Sequence, residues 1–106
     1  MFPKRVRIGY RTYKIVWIDR VDRDDFGIHG NHSADNHRIR ASKSEPPSSI
    51  ANTLLHEILH GVWNIAALPQ ECDEEQAVTA IANGLSQVWQ DNPKVMEFIK
   101  DNLNAP

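Results

Sequence analysis

Two histidines and a glutamate in the middle of the chain have the spacing of a metal site. His56, Glu57 and His60 form the pattern H-E-x-x-H within the apolar run Leu54–Trp63. On an α-helix, residues four apart lie about 40° apart around the axis and one turn along it, so both imidazoles can reach one ion. Imidazole nitrogens bind tetrahedral Zn²⁺ at roughly 2.0–2.1 Å. The sequence therefore predicts that His56 and His60 are zinc ligands.

Glu57, which directly follows the first histidine, has a different predicted role. In this pattern the glutamate faces the water on the metal and accepts its proton. Zinc lowers the pKa of that water to about 7, which makes a nucleophile available at neutral pH. Glu57 is thus the predicted general base of a hydrolytic site, and Zn²⁺ is the predicted cofactor.

The residues around the motif predict a groove rather than an open surface. At 100° per residue, His56, His60 and Glu57 fall within one polar stripe, which Ile50 and Trp63 border. The opposite arc is apolar and consists of Leu54, Leu55, Ile58, Leu59 and Val62. A plain amphipathic helix with a solvated polar face has the same pattern, but such a face more often carries Lys, Glu and Arg than His.

A third ligand has to come from another segment. The next predicted helix opens with Glu74 and Glu75, and its apolar arc consists of Ala77, Val78, Ile81, Ala82, Leu85, Val88 and Trp89. Glu74 falls in the middle of that arc and Glu75 at its flank. Because His56 and His60 also flank an apolar arc, Glu75 is the preferred ligand. Glu74, or a helix-dipole role for both acids, remains an alternative. Asp73 is the predicted N-cap.

Three further histidines, His29, His32 and His37, lie in or beside a polar turn. We expect them to be solvated or to line the cleft near the strands. A second metal site is the alternative, and one of them could donate to a tetrahedral oxyanion.

The elements that must position these residues fall into two blocks, and the first block is β-structure. Alternating and β-branched residues predict a hairpin over residues 5–18, with its turn at 9–12. A short strand is predicted over 26–30, and a polar turn over 31–36. Residues 37–41 alternate again and are predicted to form an edge strand, because their flanks are basic and polar.

The second block is helical. The Pro-Pro pair before residue 48 suits a helix start, since the missing N–H groups have no partner there. Helices are predicted over about 48–65, 74–91 and 94–103. Strands followed by helices predict an α+β fold, with a small antiparallel or mixed sheet of three to four strands, in a single domain over residues 1–106.

Composition places the chain among ordinary globular proteins. It has 106 residues, of which 41% are hydrophobic and 25% charged, and a net charge of −2. These values exclude collagen-like, disulfide-rich and strongly disordered classes. The balanced charge predicts no nucleic-acid partner, and the lack of a long apolar run predicts no membrane partner. The lone Cys72 favours a reducing compartment and a cytoplasmic location.

The motifs together resemble the small zincin-like metallopeptidase domains found in phage and prophage genomes, which are related in plan to SprT-like and ImmA/IrrE-type peptidases. The resemblance covers about residues 26–93. Its most specific part is L-L-H-E-I-L-H at 54–60, followed by E-E-x-x-V-x-x-I-A-x-G-L from Glu74 and D-N-P at 91–93.

The resemblance implies a zincin architecture and hydrolysis of a protein or peptide substrate, in the host cytoplasm if the chain is phage-encoded. In the ImmA/IrrE type, the third ligand opens an E-x-x-A-x-x-F-A helix. Residues 75–82 have that spacing, with Val78 and Ile81 departing in type. This match favours Glu75 over Glu74. The zincin plan also implies that residues 37–41 pair with an extended substrate by strand addition.

Two other functions fit the same chain. One is a non-catalytic, metal-stabilised protein-interaction module of phage or prophage origin, and the other is a metal-free binding domain. The presence of Glu57 disfavours the first, since a purely structural metal site would not need a base beside its ligands.

Overall fold

The sheet and the helices follow each other along the chain as the sequence predicts. The computed structural model describes residues 1–19, 30–33 and 37–105 of the chain. Within these residues, one four-stranded mixed sheet precedes three helices, which confirms the α+β class. The strands are β1 (Arg5–Ile8), β2 (Arg11–Ile18), β3 (Gly30–Ser33) and β4 (Arg38–Ser42), and the helices are α1 (Pro47–Ala66), α2 (Glu74–Asp91) and α3 (Pro93–Leu103).

The first two strands form the predicted hairpin. β1 and β2 pair in antiparallel fashion, with Val6 opposite Tyr13. The turn between them needs Gly9, which has a φ of +61°. A Cβ at this position would also lie 2.6 Å from Ile65 Cγ2 of α1. The Gly9 N–H donates to Gln87 Oε1 of α2 at 2.6 Å, which ties the turn to the helices.

The prediction that residues 37–41 form an edge strand is wrong. β4 pairs in parallel with β2 and in antiparallel fashion with β3, so it lies inside the sheet order β1-β2-β4-β3. Ile39 and Ala41 are fully buried on one face, while Arg38 on the other face is exposed. The basic residues that suggested an edge therefore mark a solvated face. A substrate strand cannot add at β4, because both of its sides are already paired.

The prediction for the segment before β4 is also corrected. Residues 31–33, predicted as a turn, belong to strand β3 and pair with β4. Of the strand predicted over 26–30, only residue 30 is described, and it opens β3. Residues 26–29 and 34–36 lie outside the described residues.

The helix boundaries agree with the sequence to within a residue, because local signals set them. Pro46 is the N-cap of α1 and Pro47 its first residue. Ala67 ends α1 with a left-handed φ of 53°. At the start of α2, Asp73 accepts from the Gln76 N–H at 2.7 Å and its own N–H donates to Gln76 Oε1 at 3.1 Å. This capping box confirms Asp73 as the N-cap.

The core lies between the inner face of the sheet and the helices, and it fixes the orientation of α1. From the sheet come Val6, Ile8, Tyr13, Ile15 and Ile39, and from the helices Leu54, Ile58, Val62, Val88, Val95, Met96 and Ile99. Burying each large apolar side chain contributes about 1.5–3 kcal/mol. None of the helices in the described part of the chain has the length and apolar character needed to cross a membrane.

The apolar arc predicted for α2 is only partly buried. Val88 is fully buried, but the side chains of Val78 and Trp89 are 53% and 63% exposed. α2 also meets α1 at Gly84, where a Cβ would be closer than 3.0 Å to Val62 Cγ1. The absence of a side chain at Gly84 thus sets how closely α1 and α2 approach.

Replacing Gly84 with Ala tests this contact. Alanine favours a helix by about 1 kcal/mol over glycine, but the added methyl meets Val62, whose branched side chain has little rotamer freedom. Overpacking of this kind costs about 1–3 kcal/mol. We expect Gly84→Ala to lower the free energy of unfolding by about 1–2 kcal/mol in urea denaturation.

The neighbouring exposed Asn83 provides the control, because Asn83→Ala adds no contact with α1. The double variant Val62→Ala/Gly84→Ala should show a coupling energy of about 1 kcal/mol or more, since the smaller side chain at position 62 makes room for the methyl. A Gly84→Ala protein more stable than the wild type would contradict the close packing of α1 and α2.

Candidate metal centre

Helix α1 brings the three motif residues together. The Nε2 atoms of His56 and His60 are 3.2 Å apart, and His56 Nε2 lies 3.7 Å from Glu57 Oε1. One potential ligand atom from each residue lies within 4.8 Å of the other two. Because all three residues belong to two successive turns of one helix, this grouping follows from the helical spacing alone.

The distance between the two imidazoles suits a shared metal ion. Two nitrogens bound to one tetrahedral Zn²⁺ at 2.0–2.1 Å would be about 3.3–3.4 Å apart. The Nε2 atoms of His56 and His60 are 3.2 Å apart, and their rings are inclined at 72°. The same distance also fits a hydrogen bond between two neutral rings. The histidine pair is therefore compatible with a metal without requiring one.

The histidine pair lies at an accessible surface. The His56 side chain is 64% exposed, and His60 is also exposed. A surface depression of about 420 Å³ adjoins them and is lined by His56, Leu59, His60, Trp63 and Gln70. An ion bound by the two Nε2 atoms would thus have room for further ligands or substrate on its outer side.

Glu57 differs from the histidines in being buried. Its side chain is 5% exposed, and its Oε2 atom has no hydrogen-bond partner among the described residues. Burial raises the pKa of Glu57, and the nearby charges of His56 and His60 offset part of that rise. An unpartnered buried carboxylate oxygen costs stability, so such groups are concentrated at functional sites.

The helical wheel alone did not predict this burial. It placed Glu57 on the polar stripe, at an angle close to that of Ile50, which the structure buries at the same flank of α1. The strands that pack beside α1, β3 and β4 among them, come from distant parts of the chain. No local signal in the sequence shows that the cover extends from Ile50 to Glu57.

The structure does not bring Glu75 to the histidines. Glu75 is exposed and lines a cavity between α1, α2 and β1, together with Val62 and Ile65. These two residues of α1 lie about 140° or more around the helix from the midpoint of His56 and His60. Among the described residues, neither Glu75 nor the alternative Glu74 belongs to the ligand group on α1.

The remaining histidines lie elsewhere. His37 is exposed just before β4, with a φ of 49°, and its ring packs edge-on against Tyr13 at 5.9 Å. His32 lies in β3, in register with Ile39. His29 lies outside the described residues. Within the described part of the chain, His37 belongs to no group of metal-ligating side chains.

Comparisons with known proteins add no relative to this picture. No protein-family model, curated protein or solved structure matches the chain. The interpretation of the site therefore depends on the motif and on the geometry of its three residues.

Zinc binding is the first test of the site. We expect one Zn²⁺ per chain by elemental analysis, bound by His56 and His60. At a free zinc concentration 100 times Kd, the ion stabilises the fold by about 2.7 kcal/mol. For a domain of this size the Tm should rise by roughly 10 °C or more, and a chelator should reverse the rise.

Histidine variants locate the ion. His56→Ala and His60→Ala should each lose both the bound zinc and the rise in Tm. His37→Ala is the matched control, since it removes an exposed histidine outside the group and should bind zinc like the wild type. Unchanged zinc content in His56→Ala would rule out the proposed metal centre.

The role of Glu75 is a separate test, because sequence and structure point in different directions. The sequence pattern predicts that Glu75→Gln weakens zinc binding. The described arrangement instead predicts a Kd for zinc within about threefold of the wild type, since Glu75 lies beside a different face of α1 from the one that carries the histidines. Isothermal titration with Zn²⁺ measures the difference, and Glu74→Gln is the neighbouring control. A loss of tenfold or more in Glu75→Gln alone would establish Glu75 as the third ligand.

Proposed function

We propose that the protein is a zinc-dependent peptidase that hydrolyses a peptide bond of a protein or peptide substrate. One observation carries the proposal: two Nε2 atoms 3.2 Å apart lie beside a buried carboxylate whose Oε2 atom has no partner among the described residues. A structural metal site has no use for that carboxylate, which costs folding stability. A hydrolytic site needs it as a base.

The three residues divide the work of the proposed reaction. His56 and His60 hold the ion through their Nε2 atoms. Zinc bound there supplies a Lewis acid that polarises a carbonyl group and makes water a nucleophile at neutral pH. Glu57 accepts a proton at a carboxylate oxygen and later returns it to the leaving amine. Its pKa, raised by burial, lies nearer to neutral pH than that of an exposed glutamate, which suits transfer in both directions.

In this proposal an extended substrate would lie along β3, and not along residues 37–41 as the resemblance implied. β3 pairs with β4 on one side and has no strand partner on its other side within the described residues. β3 also packs beside α1. An extended peptide that added to β3 would run past the helix that carries the motif. Strand addition of this kind binds backbone and leaves side-chain preference to neighbouring pockets.

Glu57→Gln separates the catalytic proposal from a purely structural metal site. We expect this variant to bind zinc normally but to cleave fluorescein-labelled casein at least about 100-fold more slowly than the wild type, because general-base catalysis contributes about 10²–10⁴-fold. Chelation should abolish cleavage, and added zinc should restore it. Glu97→Gln, at an exposed position on α3, is the matched control and should retain full activity.

The non-catalytic alternative makes the opposite prediction. If the metal only stabilises an interaction module, zinc-loaded wild type cleaves no more casein than Glu57→Gln does, and His60→Ala loses stability without any loss of turnover. Equal cleavage by wild type and Glu57→Gln, with zinc bound in both, would exclude the role of Glu57 as base.

A further inference from the structure

The face of the sheet that points away from the helices carries charge of one sign. Arg5 pairs with Lys14 across β1 and β2, and Lys14 pairs with Arg38 across β2 and β4. Three cations therefore stand in one row across three strands, and Arg7 continues the charge two residues along β1. All four side chains are exposed. We call these four residues the cationic row.

Such a row is unfavourable in the unliganded protein. Like charges directly opposite each other on neighbouring strands destabilise a sheet. Within the described part of the chain, Arg5, Lys14 and Arg38 form no ion pair that would relieve the repulsion. Most described acidic residues lie instead in or just before the last two helices: Glu71, Asp73, Glu74, Glu75, Asp91, Glu97 and Asp101. The net charge of −2 therefore does not reveal that the cations of the sheet and most of the described carboxylates lie in different parts of the fold.

The cationic row borders a surface depression whose described side chains are all Lys or Arg, apart from Thr12 and His37. The depression has a volume of about 710 Å³ and is lined by Lys4, Arg5, Thr12, Lys14, His37 and Arg38. Among the residues that the structure describes, no carboxylate lines it. A cluster of guanidinium and ammonium groups with an open approach is suited to phosphate, which arginine binds in a bidentate manner.

An aromatic side chain lies at the hairpin end of the same strands. Tyr10 is 70% exposed, and the Arg11 guanidinium lies 5.2 Å from the centre of its ring. Tyr10 lies in the turn between β1 and β2, three residues after Arg7 along the chain. Proteins that bind single-stranded nucleic acids combine a cationic track for the backbone with exposed aromatic rings on which bases stack.

We propose that this face of the sheet binds the phosphate backbone of a single-stranded nucleic acid. Two residues along β1 and two strand spacings separate Arg7 from Arg38, a distance of about 12 Å. That span exceeds one phosphate group but suits successive phosphates of a strand. Arginine predominates in the row, which favours phosphate over the carboxylates of an acidic protein. The expectation of no nucleic-acid partner used net charge, which does not report how charge is distributed.

Fluorescence anisotropy of a labelled 20-nucleotide oligouridylate tests the proposal. Each phosphate contact with a single strand contributes about −0.7 to the slope of log K against log salt concentration. Contacts from Lys4 and the four residues of the cationic row predict a slope of about −3.5. The affinity should then fall on the order of 100-fold between 50 and 200 mM salt. Measurement in the presence of chelator keeps the result independent of the metal centre.

Charge-matched variants locate the surface. Lys14→Gln/Arg38→Gln should weaken binding about tenfold at 50 mM salt and make the slope shallower by about 1.4, since two contacts are lost. Lys43→Gln/Lys100→Gln removes the same charge at exposed positions outside the depression. We expect this control to bind within twofold of the wild type, and circular dichroism melts should show both variants folded.

Four outcomes would overturn the proposal. The first is no binding of oligouridylate at 50 mM salt, and the second is equal loss in the two double variants. The third is that polyglutamate binds as tightly as oligouridylate and that Lys14→Gln/Arg38→Gln weakens its binding as well. This result would assign the surface to an acidic protein. The fourth is tighter binding of a duplex of the same length, which would exclude a single strand as the preferred ligand.

Discussion

The packing of α1 against the inner face of the sheet is the constraint on which the candidate site depends. Leu54 and Ile58 are fully buried, and their burial fixes the rotation of α1 about its own axis. With that rotation fixed, His56 and His60 must point outward on the opposite side, one turn apart. The core thus sets both the separation of the imidazoles and their access to solvent, and no interaction between the rings themselves is needed.

The same rotation explains why Glu57 is buried although it is charged. Glu57 lies 100° around the helix axis from His56, and therefore on the flank of α1 where Ile50 is also buried. A shift of the helix that exposed Glu57 would also withdraw Leu54 and Ile58 from the core. Burial of these apolar side chains, at about 1.5–3 kcal/mol each, outweighs the cost of one carboxylate oxygen without a partner, which is about 1–3 kcal/mol.

The sequence was sufficient where structure depends on neighbours along the chain. The Pro-Pro start of α1, the capping box at Asp73 and the glycine turn after β1 all act within a few residues. It was insufficient where distant segments meet. A basic residue such as Arg38 gives the same local sequence pattern in an edge strand and on the solvated face of an inner strand. Only the pairing of β4 with both β2 and β3 distinguishes these two positions. The position of Glu75 similarly depends on how α2 docks on α1.

Alternation of side chains connects the core to the cationic row. Val6, Tyr13 and Ile39 are buried on the inner face of their strands. Because side chains alternate along a strand, their neighbours Arg5, Lys14 and Arg38 must face outward. The pairing of the strands then places these three cations opposite one another. This geometry dictates where the outward residues lie but not what they are. Thr12 stands opposite Arg7, so the sheet accepts an uncharged residue on this face. Threonine or glutamine at positions 5, 14 and 38 would remove the repulsion without disturbing the core, and the presence of three cations there is therefore better explained by an anionic ligand than by folding.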